Sequence, residues 1–120
     1  MPSCSVTAFL KNNTPYILTY QSAATELGNY YNRETTIAPY STVEIFFASA
    51  TEGAATACRG AVIYGFTDQN GHQQAITLTY SDPFVGPNSF GVTNLPNGFT
   101  GSATQPSGLA VSVIYTIGVS

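Results

Sequence analysis

Cys58-Arg59-Gly60-Ala61-Val62-Ile63-Tyr64-Gly65-Phe66-Thr67, then Asp68-Gln69-Asn70-Gly71, then Gln73-Gln74-Ala75-Ile76-Thr77-Leu78-Thr79-Tyr80-Ser81, is the stretch that decides the fold. The first segment is nearly continuously apolar, the pattern of a strand covered on both faces and central in its sheet. Asn70-Gly71 is a hairpin signal, because both residues tolerate positive φ. The return segment alternates, with Ile76, Leu78 and Tyr80 on one face and Thr77 and Thr79 on the other. That period of two belongs to a half-buried strand.

The same grammar continues outward. Downstream, residues 82–88 form an irregular loop with Pro83, Phe84 and Pro87, and residues 89–93 a short strand. Leu95-Pro96-Asn97-Gly98 is a turn, residues 99–104 a weak strand, and Gln105-Pro106-Ser107-Gly108 a further turn. Leu109, Val111, Val113, Tyr115, Ile117 and Val119 then alternate to the end of the last strand. Upstream, Val6, Ala8 and Leu10 share one face of a first strand, and Lys11-Asn12-Asn13-Thr14-Pro15 reads as a turn. Tyr16, Leu18 and Tyr20 share a face of the next strand. Residues 26–36 read as a polar loop carrying Tyr30-Tyr31. Ala38-Pro39-Tyr40-Ser41 turns into a strand where Val43, Ile45 and Phe47 oppose Glu44, Phe46 and Ala48. No segment has a helical period. Eight or nine short strands at this spacing predict an all-β chain, a two-sheet antiparallel β-sandwich. Leu18, Phe47, Phe66 and Tyr115 are the expected core aromatics and aliphatics. The 120 residues suit one domain over positions 1–120.

Composition agrees. Charged residues make up 8% of the chain, against about 25% in an average globular protein. Thr, Ser, Asn, Gln and Tyr fill the solvent-facing positions instead, and Thr and Tyr favour strands. The three cations, Lys11, Arg33 and Arg59, are far apart in a chain of net charge −3. Nucleic acid and anionic surfaces both need clustered cations, so neither is an expected partner. No signal peptide and no membrane-spanning apolar run is visible, which leaves a cytoplasmic protein, one exported without a cleaved leader, or a mature form, peripheral at membranes when bound. Two cysteines, Cys4 and Cys58, are fewer than a disulfide framework usually holds. They read as free, partly buried thiols, with a pair as the alternative. Asn12-Asn13-Thr14 is a glycosylation sequon.

Catalytic chemistry finds little footing. The single histidine, His72, lies just past a hairpin turn, where a shielded general base is not expected. The segment from Asp68 starts like a calcium loop, but Thr79 stands where the bidentate Glu belongs. Two cysteines and one histidine do not make a zinc site. The expectation is a binding protein without metal or cofactor. Aromatics in polar segments are the candidates for recognition, since a Tyr ring can stack on a sugar, hold a choline ammonium or sit at a membrane interface.

Several pieces in a fixed order resemble one family. They are Asn12-Asn13-Thr14 before a strand, Gly28-Asn29-Tyr30-Tyr31, Thr36-Ile37-Ala38-Pro39-Tyr40-Ser41, Glu52-Gly53 before Arg59-Gly60-Ala61-Val62-Ile63-Tyr64, and Asp82-Pro83-Phe84-Val85-Gly86-Pro87-Asn88-Ser89-Phe90. In this order the chain resembles the aegerolysin-like β-sandwich proteins of fungi and bacteria, similar in shape to the sea-anemone pore-formers. The resemblance implies recognition of membrane lipids, sphingolipid or sterol in type, within a cytolytic or defence system, often beside a larger pore-forming partner. Tyr30, Tyr31, Tyr40, Asp82, Phe84, Asn88 and Phe90 are the expected ligand-binding residues. Glycan recognition by a lectin on the same scaffold is the first alternative. A structural, self-associating protein, a homo-oligomer through its sheet edges, is the second.

Overall fold

The computed structural model describes residues 4–50, 57–83 and 85–120. Among them are ten strands: β1 Ser5–Asn13, β2 Leu18–Leu27, β3 Asn29–Asn32, β4 Thr36–Ile37, β5 Ser41–Ser49, β6 Cys58–Thr67, β7 Gln73–Asp82, β8 Ser89–Thr93, β9 Phe99–Ala103 and β10 Ala110–Val119. They form two five-stranded sheets, ordered β3-β5-β1-β10-β9 and β4-β2-β6-β7-β8. This is the expected all-β sandwich. One pairing departs from an antiparallel scheme: β1 and β10 run parallel through the middle of the first sheet.

The core lies where the alternation predicts. Val6, Ala8 and Leu10 from β1 and Val113, Tyr115 and Ile117 from β10 are fully buried on the first sheet. Val62, Tyr64, Ile76 and Leu78 face them from the second. Of the three fully buried tyrosines, Tyr80 has no hydrogen-bond partner for its hydroxyl among the described residues, while the other two are satisfied. Tyr115 Oη donates across the layers to the Thr79 carbonyl at 2.6 Å, and Tyr64 Oη donates to the Glu34 carbonyl at 2.9 Å. Without such partners each buried hydroxyl would cost about 1–3 kcal/mol.

Four expectations change. Cys4 and Cys58 are not free thiols but a disulfide, joining the segment before β1 to β6 across a sequence separation of 54. The two sheets meet at that end of the sandwich, which brings their Cα atoms to 6.1 Å. Second, Asn12 is not in a turn. β1 continues to Asn13, and the Asn12 side chain is buried on the core face. Its Nδ2 donates to the carbonyls of Tyr16 (2.8 Å) and Ala38 (3.1 Å), while its Oδ1 accepts from Thr14 N and Oγ1. It therefore pins two chain reversals, and in the folded chain this sequon is not open to a glycosyl group. Third, Phe46 and not Phe47 points inward. The pairing with β1 slips between Ala8–Phe46 and Phe9–Glu44, so Ile45 is an extra residue and the inward face changes phase. Phe46 is buried, and Phe47 lies half-buried on the outer face beside Tyr31, at 6.3 Å between centroids. Fourth, the polar stretch 26–36 contains β3 and β4. The chain leaves the second sheet at Leu27 and enters the first at Asn29 through Gly28, at φ 82°, where a Cβ would press on the Ser49 carbonyl at 3.0 Å.

The far end of the sandwich is closed by rings. Tyr16 stacks on Phe66 at 5.1 Å, and Phe66 meets Phe99 at 5.0 Å.

Candidate functional site

The disulfide end gathers three chain segments. The strand registers place Leu27 beside Arg59, Cys58 beside Asp82, and Ser81 beside Ser89 in the second sheet, with Ser5 beside Ala110 in the first. Residues 85–88 and the segment 105–109 therefore emerge next to each other. Asn88 ties them, its Nδ2 donating to the carbonyls of Pro106 (3.0 Å) and Gly108 (2.8 Å). Gln105 makes a second tie. Its carboxamide accepts from Phe90 N at 3.1 Å and donates to the Phe90 carbonyl at 2.6 Å. A side chain thus takes the place of a neighbouring strand on the open edge of β8.

This end carries three exposed apolar tips. Leu27, Val85 and Leu109 are exposed to 36%, 81% and 41%, and each comes from a different segment. Beside them, on the outer face of the second sheet, lies a groove of about 340 Å³. Small residues, Ala24 and Ala61, form its floor, and Ser81 and Ser89 supply hydroxyls. At its rim Arg59 Nε meets Glu26 Oε2 at 2.9 Å, both side chains more than half exposed. Such a pair contributes at most about 1 kcal/mol to stability, so each charge is free to meet another group at small cost. Below the groove, Gly60 has no side chain because a Cβ would meet the Ala24 carbonyl and Tyr80 Oη at 2.7 Å each.

Asp82 closes the same end from within. Its side chain is buried, and neither carboxylate oxygen has a hydrogen-bond partner among the described residues. Burial pushes its pKa up from 3.8 to about 6.

The expected ligand residues divide. Asp82, Asn88 and Phe90 meet at this end, but Phe90 is a core ring and Asn88 a loop tie. Phe84 lies outside the described residues. Tyr30 is nearby on β3, yet half-buried with its ring on Phe46 at 5.1 Å and its hydroxyl on Asn32 Oδ1 at 2.7 Å. Tyr31 is exposed on the outer face of the first sheet, beside Phe47, over whose ring Arg33 sits at 5.7 Å. Tyr40 is 69% exposed at φ 55°, in the turn before β5 at the opposite end. Tyr30, Tyr31 and Tyr40 do not converge on one surface. Leu27, Glu26 and Arg59, absent from the expected set, lie with the 82–90 segment through the β2–β6 pairing. His72 is exposed, with Asp68 Oδ2 at 4.0 Å. No group of three His, Cys, Asp or Glu side chains suited to a metal occurs among the described residues.

Fold and site together define a two-sheet β-sandwich whose disulfide end sets apolar tips beside a groove. Solved structures share the fold. RahU, crystallised in complex with TRIS, aligns with TM-score 0.67 at 17% identity over 99% of this chain and 97% of its own. The lipid binding protein Nakanori aligns with TM-score 0.73 at 16% identity, over 96% of this chain and 71% of its own. No protein-family model matches the sequence, and no curated protein matches it.

Proposed function

We propose that this chain is a membrane-lipid recognition module that meets the bilayer with its disulfide end. The observation that carries the reading is the convergence of Leu27, Val85 and Leu109, from three segments, beside a groove rimmed by Glu26 and Arg59. Apolar tips partition into the interface, while the paired charges and the hydroxyls of Ser81 and Ser89 face the head groups. Fully burying one Val or Leu side chain stabilises by about 1.5–3 kcal/mol, so three shallowly inserted tips suffice for reversible binding. The fold shared with Nakanori, named as a lipid binding protein, supports the same reading. So does the ordered resemblance to aegerolysin-like proteins, which adds sphingolipid- or sterol-rich membranes as the target and a larger pore-forming protein as a partner.

Co-sedimentation with vesicles tests it, using phosphatidylcholine alone, sphingomyelin with cholesterol, and ceramide phosphoethanolamine with cholesterol. The expected result is binding to at least one sphingolipid mixture, weakened about tenfold or more by Val85→Asp or Leu109→Asp with the fold retained. Absence of binding across the panel, or binding indifferent to both substitutions, rejects the proposal.

A further inference from the structure

At the end opposite the disulfide lies a second and larger groove, of about 660 Å³, between the β1–β2 turn and the outer face of β6 and β7. Its volume falls within the ~300–1,000 Å³ typical of small-molecule sites. We propose that this groove binds a neutral oligosaccharide.

The chemistry of the lining carries the inference. None of the residues that line it is ionisable as an acid, lysine, arginine or histidine. A charged ligand would enter without a counter-charge and lose its hydration uncompensated. The polar groups present are two carboxamides, Gln21 and Gln73, and two hydroxyls, Thr19 and Thr67. A carboxamide offers a donor and an acceptor side by side, and neighbouring sugar hydroxyls each offer the same two functions. The apolar part of the wall is Pro15, Ile17 and the rings of Tyr16 and Phe66. Aromatic rings with a polar tip suit a ligand that has a C–H face and a hydroxyl rim.

The lining is also set in place before any ligand arrives. Tyr16 is held by its stack on Phe66. Gln73 Nε2 donates to Thr67 Oγ1 at 2.7 Å. Gln21 is the extra residue of a bulge, where the β2–β6 register slips between Tyr20 and Ser22. Its carboxamide lies across Gly65, at a place that any side chain at 65 would claim. A glycine beneath a bulged glutamine lays a flat amide along the groove, and a pre-ordered side chain loses less entropy on binding.

The site is separate from the lipid-facing end, so vesicle binding and sugar binding stand or fall independently. The test is a glycan array of neutral, sialylated and sulfated oligosaccharides probed with the intact chain. Hits are then titrated by NMR as free sugars and, in a second arm, as the matching neutral glycosylceramides in vesicles. Neutral glycans are expected to bind. Gln21→Ala and Gln73→Ala should each weaken them about tenfold, the loss from one or two ligand hydrogen bonds, and leave binding to sugar-free vesicles unchanged. Gly65→Ala, which displaces the Gln21 carboxamide, should match Gln21→Ala, and thermal melts confirm that each variant folds. If a variant fails to fold, Thr67→Val at an exposed position replaces it. Binding in the free-sugar arm assigns soluble or protein-linked glycans, and binding only on vesicles assigns glycolipids. A blank array and blank glycolipid vesicles, recognition confined to charged glycans, or binding indifferent to the folded variants overturns the proposal.

Discussion

Asp82 makes the stability of this chain depend on pH in an unusual direction. It is the last residue of β7, opposite Cys58, with its side chain buried and both oxygens without partners among the described residues. Burial disfavours the carboxylate and raises the folded pKa from 3.8 to about 6. Between those values the folded chain holds a proton that the unfolded chain has released. Stability is therefore full below about pH 4, falls as pH rises towards about 6, and is flat beyond. The gap of about two pH units corresponds to about 3 kcal/mol at about 1.4 kcal/mol per unit. Water lies just past this end of the sandwich, next to the exposed Val85, and screening trims the figure to about 2 kcal/mol. The assay is urea unfolding of the parent and of Asp82→Asn at intervals from pH 3.5 to 8. All other titrating groups are common to both, so their difference isolates Asp82. The variant is expected to gain about 2 kcal/mol on the parent between pH 4 and 7. A constant difference over that range, or a gain by the parent, would refute the reasoning.

Two further expectations concern the covalent and polar ties. Replacing Cys4 and Cys58 together by Ala should lower the unfolding free energy by about 4 kcal/mol, the loop-closure value for a separation of 54, measured by denaturant titration. Asn12→Ala strands the Tyr16 and Ala38 carbonyls and the Thr14 N–H, and should cost about 2–4 kcal/mol by the same titration.

What could be read from the sequence follows a physical divide. β6, β7, β8 and β10 were legible because each exposes its pattern within its own residues, and Asp68 to Gly71 marked the hairpin directly. Bulges were not legible. The extra residues Ile45 and Gln21 are defined by partner strands, so the inward turn of Phe46 cannot be read along β5 alone. β3 and β4 were hidden in a polar stretch because edge strands need little apolar content. At the site, the 82–90 segment announced itself by Pro, Gly and Asn, and Asp82, Asn88 and Phe90 lie at the disulfide end. Glu26 and Arg59 lie 33 positions apart in the chain and meet only through strand pairing. Tyr40 was correctly seen in a turn, but which end that turn occupies depends on topology. The disulfide likewise depends on both sheets meeting over a long separation.

The parallel pairing of β1 with β10 has a consequence for how the chain is made. Val6 aligns with Val111 and Leu10 with Tyr115, so the first strand waits until residues about a hundred positions downstream are synthesised. Until then β1 has only β5 beside it, with one row of backbone amides and carbonyls bare. Contacts this distant in sequence form late and slow the search for the native state. A ribosome stalled shortly before residue 110 would hold a nascent chain in which β1 is a bare sheet edge. Chaperone capture of such stalled chains, and its release once β10 has emerged, is the expected outcome for this topology.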